Sequence, residues 1–366
     1  MLETLISWSL LPLGLVLGIA LAKRGAFDSG DSPLSGPPSG PPSTELPPRG
    51  DADTVELQLT LGTLFRKRGE LDRAIQLHEA VMARPGLSIE EAASVRLELA
   101  QDFLKGGVMD RAEQLLNDLV NRGRHLEDAL ELLLDLHEQG RDWPQAMSTA
   151  GRLQSVQGRS QAKRIAHHHC ELAENARHDG DLAEARERVN KALASDRDCV
   201  RGNVMLAALA EAEQDWPLAI RCGIRAIAQD RRYLPEVLPL LRRCFDQSDD
   251  AAGYAQFLDD AEADHPDSMA VALARAELLA TREGDAQAYL AGRLLKAPNW
   301  RGLLFWVDAA MPGYATASAL TEAFRKRLDA QPRYSCSSCG LKPGVLFWQC
   351  PSCKQWATIA PARDEI

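Results

Sequence analysis

The sequence of 366 residues lacks the motifs that carry most enzymatic chemistry. It contains no Gly-rich loop of the kind that cradles phosphates and no nucleophile motif. It also lacks a basic patch, and its formal net charge of −10 argues against general binding to nucleic acid. The acidic pairs Glu90-Glu91 and Asp249-Asp250 fall at predicted helix starts or turns, where solvated caps are expected. These absences predict a protein that is not an enzyme.

The N-terminus contains one long uncharged stretch, the 18 residues Leu5–Ala22. As a helix it would be about 27 Å long, which suffices to cross the apolar core of a bilayer. Lys23 and Arg24 follow it directly, so the positive-inside rule places the body of the chain in the cytoplasm. The alternative is a signal peptide cleaved after Ala22, but the basic region that should open such a peptide is missing. We therefore predict a retained transmembrane anchor over residues 1–24.

Residues 25–50 are predicted to form a linker between the anchor and the body. The segment mixes glycine and serine with seven prolines and cannot bury enough apolar surface to fold. We expect an extended spacer, and docking to an SH3-like partner is the less favoured alternative. The prolines are Pro33, Pro37, Pro38, Pro41, Pro42, Pro47 and Pro48.

From residue 51 to residue 331 the sequence has a helical pattern that repeats at a nearly constant period. A helix–turn–helix signature ending in alanine occurs five times, first over residues 69–74. Its alanines are 38, 34, 39 and 34 residues apart, close to the period of about 34 residues of tetratricopeptide repeats. The spacing predicts an all-α solenoid, because one helix pair alone cannot bury its apolar face. The alanines are Ala74, Ala112, Ala146, Ala185 and Ala219.

The signature also makes local predictions. A small residue lets the two helices of a repeat approach closely, and Asp142 and Asp215 are suitable N-caps for the second helix. One or two degenerate repeats are predicted in the range 233–298, around residues 249–252 and 283–286. Solenoids of this kind usually bind peptides or proteins, so protein binding is the predicted role of the body.

Four cysteines near the C-terminus form the most specific motif. Their spacing is C-x2-C-x10-C-x2-C, so each pair brings two thiolates to one tetrahedral metal, and a short hairpin can join the pairs. With every ligand position taken by protein, such a site is closed and structural. Two disulfides and unlinked thiols are the alternatives. The predicted ligands, in a module over residues 332–361, are Cys336, Cys339, Cys350 and Cys353.

The other four cysteines lie scattered in helical and mostly apolar contexts. At such positions we expect cysteine to serve as a small buried side chain. A cytoplasmic body agrees with cysteines that stay reduced. These four residues are Cys170, Cys199, Cys222 and Cys244.

Two further groups of residues invite a functional interpretation. The run 167–169 consists of three histidines, but consecutive helical residues point about 100° apart and cannot share one ligand face. Trp348 and Trp356 flank the second cysteine pair, and we expect them to pack the module against the last helices, around residues 300–306. The alternative is an exposed patch that binds a partner.

The order of these parts resembles the lipopolysaccharide assembly protein B family (LapB, also called YciM) of Gram-negative bacteria. The module is the most specific part of the resemblance, from Pro332-Arg333-Tyr334-Ser335-Cys336 to Trp348-Gln349-Cys350-Pro351-Ser352-Cys353-Lys354-Gln355-Trp356. Residues 61–80 and 164–173 resemble the same family. The resemblance covers nearly all of the chain except the linker. Family members continue almost directly from the anchor into the repeats, so the linker departs from the family pattern. Contacts that an initial repeat makes in the family are therefore in doubt for this chain.

The resemblance implies an adaptor in the cell inner membrane, with the repeats and a rubredoxin-like metal module on the cytoplasmic side. Members restrain lipopolysaccharide synthesis by helping the membrane protease FtsH degrade LpxC, the deacetylase committed to lipid A. They also gather other lipopolysaccharide assembly proteins at the membrane. The family's metal ligands carry over to Cys336, Cys339, Cys350 and Cys353.

Two other functions remain open at the level of the sequence. Iron in the four-cysteine site would suit electron transfer, although true rubredoxins separate their cysteine pairs by far more than ten residues. A membrane-tethered scaffold or chaperone without a link to proteolysis is the second alternative, since a solenoid groove does not reveal its ligand. We expect zinc in the site, with iron as the alternative.

Overall fold

The computed structural model describes residues 54–282, 284–311 and 314–362, which belong to the compact unit Thr54–Ile366. The predicted anchor, the predicted linker and residues 51–53 of the predicted solenoid lie outside the described residues. Within the described ranges, none of the helices combines the length and the apolar character needed to cross a membrane.

Sixteen α-helices occupy the described residues up to Asp329, and each contacts the next along the chain. They form eight successive helix pairs, and a short 3-10 helix (Arg231–Tyr233) precedes the eleventh α-helix. The helices are α1 (Val55–Arg68), α2 (Leu71–Met82), α3 (Ile89–Gly106), α4 (Met109–Asn121), α5 (Leu126–Gln139), α6 (Trp143–Gln157), α7 (Ala162–His178), α8 (Leu182–Ser195), α9 (Val200–Ala212), α10 (Trp216–Gln229), α11 (Leu234–Gln247), α12 (Ala251–Asp264), α13 (Met269–Thr281), α14 (Ala286–Lys296), α15 (Trp300–Ala310) and α16 (Ala315–Asp329).

The turn inside the helix pairs explains the repeated signature. One residue there adopts a left-handed conformation that ends the first helix, and glycine does so without strain at Gly69, Gly107 and Gly180. Arg141 and Gln214 take the same place in the third and fifth pairs, with φ angles of 56° and 62°. A common turn geometry thus underlies signatures that differ in sequence.

The predicted caps and close contacts are confirmed. The side chains of Asp142 and Asp215 accept hydrogen bonds from the backbone N–H groups of Gln145 and Leu218, at the starts of α6 and α10. All five signature alanines are completely buried, as close packing within each pair requires. The four scattered cysteines are buried too.

The C-terminal half contains more repeats than the sequence predicts. The degenerate pairs expected in the range 233–298 are α11 with α12 and α13 with α14. Asp249 repeats the left-handed turn with a φ of 54°, and Asp250 caps α12. A further pair, α15 with α16, was not predicted because the sequence between these two helices does not repeat the signature.

The first helices of the pairs line one face of the solenoid. Contacts join α1 to α3, α3 to α5, α7 to α9, α9 to α11, α11 to α13 and α13 to α15. We call the surface formed by α1, α3, α5, α7, α9, α11, α13 and α15 the first-helix face. A solenoid exposes such a face as a continuous surface for ligands.

The cysteine module follows α16 and contains two short antiparallel strands, β1 (Tyr334–Cys336) and β2 (Ile359–Pro361). Their register pairs Cys336 with Ile359, and a single bridge joins Gln349 to Trp356. Ala360 belongs to the same apolar cluster as residues of α10 to α13. The module therefore shares a core with the helices.

Candidate metal centre and its interface with the helices

The four predicted ligands converge. Their Sγ atoms all lie within 4.8 Å of one another, and the distances are 3.8 Å from Cys336 to Cys353 and 3.6 Å from Cys339 to Cys350. Four thiolates about 2.3 Å from one tetrahedral ion would stand about 3.8 Å apart. The sulfur atoms thus have the spacing that one metal ion requires. The chain presents a four-cysteine metal-binding module.

Backbone geometry around the cysteines directs donors at sulfur. Gly340 has a φ of 76° and closes the first turn by donating its N–H to the carbonyl of Cys336. Burial opposes ionisation of Cys336, but contacts with the Thr358 hydroxyl and the backbone N–H of Cys339 outweigh it and lower the pKa to about 6. A thiolate is the form that binds metal, so these contacts prepare the site for a cation.

Trp348 packs against the middle of the first-helix face. Its ring stacks on that of Tyr233 with centroids 5.1 Å apart and an interplanar angle of 14°. The guanidinium of Arg201 lies 5.8 Å from the centroid of the Trp348 ring, and the ring of His167 lies 6.3 Å away. Arg201 thus makes a cation–π contact from α9, and His167 contributes a ring contact from α7.

Trp356 packs nearby, on α6 and α7. It stacks on His167 at a centroid distance of 5.0 Å and meets His168 and Trp143 edge-on at 5.8 and 6.2 Å. Its indole N–H donates a hydrogen bond of 3.1 Å to Glu138. The two tryptophans therefore do not contact Trp300, Phe305 or Trp306 as predicted, nor do they form an exposed patch. The prediction was wrong because it placed the module beside the helices nearest in sequence.

Glu138 of α5 is the polar centre of this interface. Its side chain, only 2% exposed, accepts hydrogen bonds from His168, Gln349 and the indole of Trp356, at 2.6, 2.8 and 3.1 Å. Arg164 binds both of its oxygens, at 2.5 and 3.0 Å. Burial raises the pKa of this carboxyl, but the hydrogen bonds from His168 and Arg164 outweigh burial and hold the pKa at about 2. Glu138 is therefore ionised and fully engaged.

Two tyrosines attach the strands of the module. The hydroxyl of Tyr233 donates a hydrogen bond of 2.7 Å to the carbonyl of Ile359, and that of Tyr334 donates one of 2.8 Å to Glu236 of α11. These two hydrogen bonds and the tryptophan contacts join the module to four helices of the first-helix face, namely α5, α7, α9 and α11. The module thus covers the central part of the first-helix face.

The histidine run has a structural role in this interface. His167 and His168 are buried against Trp356, and burial lowers the pKa of His167 to about 3, so its ring is neutral. Within the described ranges, the four cysteines are the only cluster of His, Cys, Asp and Glu with metal-ligand spacing. Sequence reasoning missed Glu138; the available signal was a glutamate four residues after Leu134, and so on the same buried face of an amphipathic helix.

Comparison with known proteins identifies the family. The chain is 33% identical to lipopolysaccharide assembly protein B of Escherichia coli K12 over 321 residues, which cover 86% of this chain and 82% of that protein. It is 31% identical to the protein of the same name from Haemophilus influenzae Rd over 319 residues, or 85% and 80% of the two chains. The chain belongs to the lipopolysaccharide assembly protein B family. A family profile described as "Rubredoxin metal binding domain" also matches residues 334–361, the part that holds the four cysteines.

Comparison with solved structures finds further similar chains. The match to a tetratricopeptide repeat protein from Parabacteroides merdae covers 73% of this chain and 97% of that protein, at 11% identity and a TM-score of 0.36. The match to MamA from Desulfovibrio magneticus RS-1 covers 50% of this chain and 98% of that chain, at 14% identity and a TM-score of 0.33.

Proposed function

We propose that this chain is an inner-membrane regulatory adaptor that restrains lipopolysaccharide synthesis. In this proposal the solenoid binds LpxC and presents it to the membrane protease FtsH for degradation, and it also helps organise lipopolysaccharide assembly proteins. Membership of the lipopolysaccharide assembly protein B family supports a role in lipopolysaccharide assembly. The predicted anchor over residues 1–24 would hold the chain at the surface where the protease works, which raises the effective concentration of co-tethered partners.

The observation that carries the proposal is the docked module. Its contacts with α5, α7, α9 and α11 fix it against the surface that a solenoid uses for ligands. The described residues thus combine helical repeats with a rigidly attached second element, which suits simultaneous contact with two proteins. Binding, rather than catalysis, is the activity that this arrangement supports.

We also propose that Cys336, Cys339, Cys350 and Cys353 hold one structural zinc ion. The sulfur spacing fits a tetrahedral ion, and a site with four protein ligands has no open position for catalysis. Metal analysis of the purified chain should find about one zinc per chain and a colourless protein. One iron per chain with a red colour would contradict zinc and favour the electron-transfer alternative.

The function is tested by depleting the protein in its own cells and following LpxC after translation is blocked. Depletion should lengthen the half-life of LpxC markedly, and the wild-type gene should restore it. The Cys350→Ser variant should fail to restore it, whereas Cys222→Ser, a matched change at a buried cysteine outside the module, should succeed. An unchanged half-life after depletion would contradict the adaptor and favour a scaffold, whose partners crosslinking would identify.

A further inference from the structure

An open cleft lies between the C-terminal part of the first-helix face and the module. Its helical side includes Pro235 of α11, Ala270 of α13 and Asn299, the N-cap of α15, and its other side includes Pro361 at the end of β2 and the following Ala362. The cleft has a volume of about 440 Å³ and adjoins a second cavity of about 490 Å³ that shares these five residues. The combined space is larger than a single side chain would fill.

Basic side chains dominate the charge of the 440 Å³ cleft. Arg301, Arg333 and Lys342 line it, and Arg333 and Lys342 are exposed. Throughout the part of the chain that the structure describes, no carboxylate pairs with Arg333 or Lys342. The one acidic residue of the lining, Glu236, accepts a hydrogen bond of 2.8 Å from Tyr334. In a protein with a net charge of −10, this cleft therefore carries a local excess of positive charge.

An apolar wall stands beside these cations. Leu273, Trp300 and Leu328 line the same cleft. Trp300 is 44% exposed, and its ring stacks on that of Phe324 with centroids 5.7 Å apart and an interplanar angle of 8°. A half-exposed indole with a fixed orientation suits contact with an apolar side chain of a ligand.

We infer that this cleft binds an extended peptide that carries a carboxylate next to a large apolar side chain. The carboxylate would meet Arg333 and Lys342, and the apolar side chain would pack on Trp300. The inference rests on the proposed function as a protein-binding adaptor and adds the location and chemistry of one binding site. The carboxylate can come from an internal Asp or Glu or from the C-terminus of the partner, since both present the same group.

The test is a screen of random octapeptides against the purified full chain in detergent, with peptides synthesised in free-acid and amidated forms. Bound peptides should be enriched in a carboxylate adjacent to Leu, Phe, Ile or Met. Equal enrichment in both forms would assign the carboxylate to a side chain, and enrichment in the free-acid form alone would assign it to a C-terminus. Absence of enrichment, or retention of acidic peptides without the apolar residue, would overturn the inference.

Variants locate the binding. The double variant Arg333→Glu, Lys342→Glu should weaken the best peptide at least about tenfold, and so should Trp300→Ala. Lys163→Glu, a charge reversal at an exposed lysine on α7 away from the cleft, should change nothing. The milder Lys342→Gln should weaken binding less, which covers the case in which the double variant folds poorly. Zinc content and circular dichroism verify each fold, and unchanged peptide binding in folded variants would place the site elsewhere.

The same variants separate this inference from the proposed function. If the double variant binds no peptide but still restores the LpxC half-life, the cleft serves a partner other than the one that determines LpxC turnover. If peptides do not bind but depletion still lengthens the half-life, the proposed function stands and the inference fails. If depletion has no effect on LpxC while peptides bind as expected, the binding site stands and the proposed function fails.

Discussion

Individual buried charges hold the module to the helices. Glu138 receives donors from Arg164 and His168 of α7 and from both sides of the bridge between Gln349 and Trp356. An ionised carboxylate with so little exposure is stable only when its partners are present, because desolvation of the charge is costly. The interface is therefore sensitive to the loss of any one charged partner.

Replacing Glu138 with Gln should destabilise the folded chain by about 3 kcal/mol. The amide loses the charge that balances Arg164, and its NH2 group faces donors instead of acceptors. Thermal unfolding measures the loss, and tryptophan fluorescence should shift to the red as Trp356 leaves the interface. Glu131→Gln on the exposed side of the same helix is the control and should change stability by less than about 0.5 kcal/mol. Equal stability of the two variants would contradict the role of Glu138.

Stability should also fall with acidification, beginning near neutral pH. Burial lowers the pKa of His167 from 6.5 to about 3, and the groups facing it are Arg201, His168 and Glu138. Below pH 6.5 the unfolded chain binds a proton that the folded chain does not, so up to about 1.4 kcal/mol is lost for each pH unit down to about 3. Glu138, whose pKa is lowered from 4.5 to about 2, adds a second loss as pH falls through that range.

Denaturant unfolding at pH 7.5, 6.5, 5.5 and 4.5 measures this dependence. The variant His167→Phe keeps an aromatic ring against Trp356 but cannot bind a proton, so its stability should decline less between pH 6.5 and 4.5. A wild-type chain with flat stability over that interval, or a variant with the same decline as the wild type, would show that His167 is not the cause.

At the scale of helices, close approach of α1 and α2 depends on one glycine. A methyl group at Gly62 would overlap the ring of His78, which is completely buried and lies 2.5 Å from Asp102 through its Nδ1 atom. Asp102 in turn binds Arg66 of α1 at 2.7 Å. The contact of the first two helices thus surrounds a buried polar network that connects both helices to α3.

Gly62→Ala should therefore destabilise the chain by about 1 to 3 kcal/mol, because α1 must move away from the histidine. The matched control is Gly151→Ala on α6, where nothing lies within 4 Å of an added methyl group. That change should stabilise by about 0.5 to 1 kcal/mol, since alanine is the better helix former. Chemical denaturation distinguishes the two signs, and stabilisation by Gly62→Ala would show that the helices can separate without cost.

At the scale of the molecule, we expect the fold of the module to depend on a bound metal ion, and the interface to depend on that fold. Its two strands have three residues each, too few to hold a fold without a further constraint. Removal of metal by a chelator, or Cys350→Ser, should release Trp348 and Trp356 from the helices. Cys222→Ser is again the matched control.

The expected result is a red shift of tryptophan fluorescence and faster proteolysis after residue 331, while the helical circular dichroism signal remains. Readdition of zinc should reverse both changes in the chelated wild type. A chelated protein whose Trp348 and Trp356 stay packed on the helices would show that the contacts with Glu138 and Tyr233 hold the module without metal.

The sequence by itself determined the features that depend on neighbours along the chain. The repeated signature specifies the left-handed turn at Gly69 and its equivalents, the caps Asp142 and Asp215, and the buried alanines, and the cysteine spacing specifies the converging sulfur atoms. Only the tertiary structure decided where the module lies. Gln349 and Glu138 are 211 residues apart, and no period relates them, so their contact depends on the complementary shapes of two surfaces. The same holds for the cleft, because helices and module each supply only part of its lining.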